Sequence, residues 1–136
     1  MEVRNIKVFK SEPIVVDTGE EQIVIKKVPA MATVILYDNE ELINKLFEMS
    51  KYSFLIANGS DNPLEKIDAL KQASKNILEI YKTYETTLID VLSICLEKSK
   101  DWIKRNLGYN ETIQIVMAIL LTVTEESSDL IKKNKL

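Results

Sequence analysis

The sequence predicts an α+β fold in which a short N-terminal β-hairpin or small antiparallel sheet precedes a bundle of about four helices. Three observations carry that expectation. Up to Lys26 apolar residues alternate with polar ones at a period near two. From Asp38 onward they recur every three or four residues. Between Val16 and Gln22 lies Asp17-Thr18-Gly19-Glu20-Glu21, a stretch suited to reversing the chain. Residues 1–37 are therefore expected to form a β-rich segment and residues 38–136 a helical body, packed together as one compact domain.

Along the chain, Val3 to Phe9 reads as a strand with Ile6 and Val8 on one face. Ile14-Val15-Val16 follows Pro13, and Gln22 to Lys26 places Ile23 and Ile25 on one face. Gly19 can take the positive φ that a hairpin loop of about five residues needs. Residues 28–37 stay open between two assignments. Thr33-Val34-Ile35-Leu36-Tyr37 favours a strand by propensity, whereas Pro29 is well placed to open a helix.

Asp38, with Glu41 three residues on, is the expected cap of a helix bearing the apolar stripe Leu42, Ile43, Leu46, Phe47 and Met49. Asn58-Gly59 supplies the usual C-terminal stop, and Asn62-Pro63 the next start. Ile67, Leu70, Ser74, Ile77, Tyr81, Tyr84, Leu88, Val91 and Cys95 then follow at spacings of three and four. Unbroken from Pro63 to Lys98, this helix would measure roughly 50 Å. Three threonines between Thr83 and Thr87 mark where it could break, since β-branched residues lower helix propensity. Trp102, Ile103 and Leu107 indicate a short helix ending at Gly108. Asn110 is the expected cap of a last, buried helix, and residues 132–136 form a polar tail.

The 136 residues comprise 46% apolar and 29% charged types, enough apolar material for a packed core. With 18 basic and 21 acidic residues the net charge is −3, a solubility margin without the basic face that nucleic acid requires. The opening residues lack the continuous apolar run of a signal peptide. The apolar stretch Ile113 to Val123 is interrupted by Gln114 and Thr122 and is too short to span a bilayer. The expectation is a cytoplasmic protein with no membrane and no nucleic-acid partner.

Candidate chemistry is sparse. The chain has no histidine, a single cysteine and glycine only at positions 19, 59 and 108. That removes the commonest general base and metal ligand, any intramolecular disulfide or thiolate cluster, and the glycine-rich phosphate loops. Ile14-Val15-Val16-Asp17-Thr18-Gly19 does match the strand that carries an aspartic protease carboxylate. Glu20 follows it in place of the usual Ser or Ala, and the chain turns helical by Asp38. Asp17 is read as a turn residue; a peptidase activity lost on Asp17→Asn would be the mark of the other role. The pairs Glu20/Glu21, Glu40/Glu41 and Glu125/Glu126 point in diverging directions, and Cys95 lies on the apolar stripe without an activating base. Lys98, Lys100, Lys104 and Arg105 around Trp102 read as a charged helix end, not as a single-strand binding platform, because Glu97 and Asp101 dilute them. No catalytic, cofactor or metal site is expected. Tyr52, Tyr81, Tyr84 and Trp102 are the candidate protein-interface residues, being amphipathic aromatics of the kind enriched in interfaces, with core packing as the competing role.

One family resemblance spans most of the chain as a pattern of element types. The β-rich opening ends in Gly19-Glu20-Glu21-Gln22-Ile23-Val24-Ile25-Lys26-Lys27-Val28-Pro29-Ala30-Met31, a helical body follows, and Asp101-Trp102-Ile103-Lys104-Arg105-Asn106-Leu107-Gly108-Tyr109-Asn110-Glu111-Thr112 leads into an apolar helix. This order resembles the tail assembly chaperones of long-tailed bacteriophages. The resemblance implies a non-enzymatic protein of the host cytoplasm that coats the tape measure protein and helps recruit the tail tube protein, with no catalytic residue to carry over. A structural virion component, such as a connector or tail-completion subunit, and a cellular regulatory binding module are the alternatives. Self-association into a homo-oligomer is compatible with each.

Overall fold

The computed structural model describes the backbone of residues 13–58 and 63–134 and the side chains of residues 13–49 and 63–127. Two strands, β1 (Ile14–Asp17) and β2 (Gln22–Ile25), precede five helices: α1 (Ala30–Tyr37), α2 (Glu40–Asn58), α3 (Pro63–Leu96), α4 (Lys100–Asn106) and α5 (Tyr109–Asn134). The α+β class and the strands-then-helices order agree with the expectation, with one helix more than the four anticipated. The strand expected over Val3 to Phe9 lies outside the described residues.

β1 and β2 pair antiparallel in the register Ile14↔Ile25, Val15↔Val24, Val16↔Ile23 and Asp17↔Gln22. The period of two puts Val16 and Ile25 in the core with Ile14 and Ile23 half-buried, and leaves Val15 and Val24 exposed on the other face. Local bonds close the turn. The Asp17 carboxylate accepts the Gly19 N–H at 2.8 Å, Gly19 takes φ 87°, and the Thr18 N–H donates to the Glu21 carbonyl at 3.1 Å. A two-stranded ribbon alone is marginal in water; here β2 packs on α3 and β1 on α5.

Residues 30–37 are helical, which settles the open assignment against strand propensity. Pro29, extended at φ −60° and ψ 143°, is the N-cap, and its carbonyl accepts from Ala32 and Thr33. Helical spacing brings Ala32 and Leu36 to the same side, where both are fully buried. Tertiary burial of one helical face therefore overrides the β-branched composition.

Two caps differ from expectation by one or two positions. Asp38 closes α1, its N–H bonded to the Val34 carbonyl, and Asn39 caps α2 by accepting the Leu42 N–H at 3.3 Å. Asp38 and Asn39 have equivalent capping chemistry, and only the point where α1 ends chooses between them. Likewise α5 starts from Gly108 and not from Asn110. The Gly108 carbonyl accepts from the Thr112 N–H, and Glu111 reaches back to the Gly108 N–H at 3.1 Å, the acidic half of a capping box.

Helix α3 runs from Pro63 to Leu96 but kinks at Tyr84, at φ −117° and ψ 22°, inside the threonine cluster that marked a break. Burial changes about one turn before the kink. No residue from 63 to 79 is buried, whereas Ile80, Tyr84, Leu88, Ile89, Val91, Leu92, Cys95 and Leu96 are. The helix is the centre of the molecule, contacted by α1, α2, α4, α5 and β2, and its second half supplies most of its buried positions. It ends at Glu97, whose φ of 55° is left-handed, with the Lys98 N–H bonded back to the Ser93 carbonyl.

The cap assignment has a direct test. Asn39→Ala should lower the unfolding free energy by about 1 kcal/mol in urea titration, whereas Asp38→Ala should change it by less than about half of that.

Candidate functional site

The four aromatic residues expected at an interface separate in the structure. Tyr84 belongs to the core: only 8% of its surface is exposed, and its hydroxyl donates to Glu41 Oε2 at 3.1 Å, tying the kink in α3 to the start of α2. Its place as an interface residue is corrected accordingly, because the 3-and-4 spacing that marks a helical stripe does not say which half of the helix is covered. Burial, and then the neighbouring Glu41 carboxylate, raise the Tyr84 phenol above its ordinary pKa. Tyr81 is half-buried against the core, its ring 6.3 Å from that of Tyr109, so it holds the start of α5 to the middle of α3. Its phenol is raised by burial and secondarily by Glu85. Trp102 is half-buried on α4. Tyr52 lies on α2, and its side chain is outside the described residues.

The basic cluster around Trp102 has a structural role. The Lys98 ammonium stands 5.0 Å over the Trp102 ring and 3.1 Å from Glu21 Oε1, joining the hairpin loop to the α3–α4 junction. Lys100 meets Asp90 Oδ1 at 2.9 Å, an ion pair that answers this buried oxygen without a well-directed hydrogen bond. Arg105 pairs with Asp101 at 3.5 Å on the exposed side of α4, a contact of small energetic weight. Three of these cations are thus engaged with carboxylates and not presented together as a phosphate-binding face.

What the structure does present is uncovered apolar surface. On the first half of α3, Ile67, Leu70 and Leu78 are exposed on one side, with Ser74 between them. The adjoining side, through Ala69, Ala73, Ile77 and Ile80, is partly or fully buried. Exposed Glu65, Lys66, Asp68, Lys71, Lys75 and Glu79 flank the stripe with mixed charge. Near the kink a groove of about 380 Å³ runs between α2 and α3, with Met49 and Ile80 as its floor and Lys45, Glu48 and Glu79 on its rim. The sequence spacing placed Ile67 and Leu70 on a stripe; their exposure depends on where the neighbouring helices stop, which spacing does not encode.

The carboxylates are dispersed. Among the described residues no group of three or more His, Cys, Asp or Glu side chains could hold a metal ion. No described helix is long and apolar enough to cross a membrane. The Asp17 carboxylate is exposed and engaged with the Gly19 amide in its own turn. Cys95 is buried, and burial pushes its thiol up to about 11. The native protein should therefore resist alkylation by iodoacetamide at pH 8 and react at one site once unfolded in guanidinium. The folded-state pKa is raised, so this contribution to stability is complete below pH 9 and is lost as pH rises from about 9 toward about 11.

No family model matches the chain, and neither a curated protein nor a solved structure is significantly similar to it.

Proposed function

We propose that this protein is a non-catalytic binding factor whose working surface is the exposed apolar stripe on the first half of α3. Its partner, on this reading, is the tape measure protein of a long-tailed phage, which it shields in the host cytoplasm while the tail is assembled. The observation that carries the reading is the unequal burial of α3. Ile67, Leu70 and Leu78 stay in water, although the same helix past Tyr84 buries Leu88, Ile89, Val91, Leu92, Cys95 and Leu96. Apolar side chains arranged at helical spacing with charged flanks suit an amphipathic helix as partner, since such a helix lays its apolar face into a complementary stripe. A tape measure is a long helix of that kind, and the element order of this chain resembles that of the chaperones that coat it. The mixed charges on both flanks favour a register-setting contact over non-specific adhesion.

Co-expression with a tape measure protein is the test. The wild-type chain should carry the tape measure into the soluble fraction as a complex that co-elutes on gel filtration. The double variant Ile67→Lys/Leu70→Lys, both at exposed positions, should keep its own fold by circular dichroism and lose at least about tenfold in affinity. A tape measure that stays insoluble beside the wild-type chain would overturn the reading.

A further inference from the structure

A second uncovered surface lies on α1 and carries a different inference. Over its eight residues, Ala-Met-Ala-Thr-Val-Ile-Leu-Tyr, α1 holds no charged side chain. A helix apolar on all sides is ordinarily enclosed on all sides. Only one side of α1 is. Ala32 and Leu36 are fully buried and Ile35 is packed on the core, while Met31 is 65% exposed, Val34 56% and Tyr37 48%. With Ala30 and Asp38, these residues recur at three and four along the outer face. The Tyr37 hydroxyl lies 3.4 Å from Thr124 Oγ1, which brings the exposed Leu121, one turn earlier on α5, to the border of the same surface.

The charges around this face are arranged end to end. Lys26 and Lys27 are exposed just before α1, and Asp38 and Glu40 just after it. Within the chain, the first turn of α1 has no acidic residue and the last turn no basic one. The positive N-terminal and negative C-terminal ends of its macrodipole are thus left without side-chain compensation from α1 itself. An antiparallel second α1 supplies both. About a two-fold axis at Val34, Met31 meets the other copy's Tyr37, Asp38 lies beside the other copy's first turn, and Lys27 reaches past its last. Such a contact is isologous, so each complementary pair forms twice. Ala30 and Val34 are small enough to let the two axes approach to about 8–10 Å.

We infer that the protein self-associates as a two-fold dimer through the outer face of α1, with a second copy of this chain as the occupant of that face. The surface is separate from the stripe on α3, and the dimer forms without any other protein. At eight residues plus the α5 border, the contact lies at the small end of specific interfaces, so association is reversible and follows concentration.

Sedimentation equilibrium of the purified full chain tests this between about 1 µM and about 1 mM, the range in which small interfaces dissociate. The expected mass rises from 15.6 kDa toward twice that value. Val34→Lys should remain at the monomer mass throughout with an unchanged circular dichroism spectrum, and Met31→Lys, at a still more exposed position, should do the same. Lys27→Glu should weaken the dimer several-fold at low salt. A monomer at every concentration would overturn the proposal. So would a dimer that survives both Val34→Lys and Met31→Lys, or open-ended growth past two copies.

Discussion

The constraint on which the rest of the structure depends is the enclosure of the second half of α3. Leu88, Val91 and Leu92 have no measurable exposure, and α1, α2, α4, α5 and β2 each touch this helix. Fully burying one such side chain is worth about 1.5–3 kcal/mol, so a handful of positions on a single helix organises the packing of nearly every other element. The hairpin depends on it most. Two four-residue strands cannot hold themselves in water. They persist because Val16 and Ile25 join the core, and because Lys98 fastens Glu21 to the helical junction.

The turn after α3 shows how that core is completed. Glu97 adopts a left-handed conformation that a non-glycine residue takes at a cost of about 1 kcal/mol. In return the chain reverses within three residues. Ser99 caps α4 through the Trp102 N–H, and Ile103 and Leu107 close over the core. The Ser93 hydroxyl donates to the Lys98 carbonyl at 2.6 Å and fixes the reversal from the helix side. Local strain is thus balanced by hydrogen bonds on both sides of it.

Local chemistry that acts locally was legible in the sequence. Gly19 occupies the positive-φ position of the hairpin, Pro63 opens α3, and the threonine cluster coincides with the kink at Tyr84. Features decided by competition between near-equal neighbours were less legible. Asp38 and Asn39 differ little as caps, and residues 28–37 carried a strand propensity that the burial of Ala32 and Leu36 overrode. The surfaces followed the same division. Spacing put Ile67, Leu70 and Tyr84 on one apolar stripe, but the extent of the neighbouring helices determines that Tyr84 is core and Ile67 is not. The outer face of α1 could not be read at all before residues 28–37 were known to be helical.

The kink at Tyr84 has a thermodynamic consequence. Residues 63–79, none of them buried, precede it, and the buried positions of α3 begin at Ile80, one turn before the kink. The free energy of local opening should therefore change along α3, lower in its first half and closer to the global value in its second. Amide protons on the two sides of Tyr84 should then report different unfolding reactions, with the non-helical backbone at Tyr84 lying near the border between them.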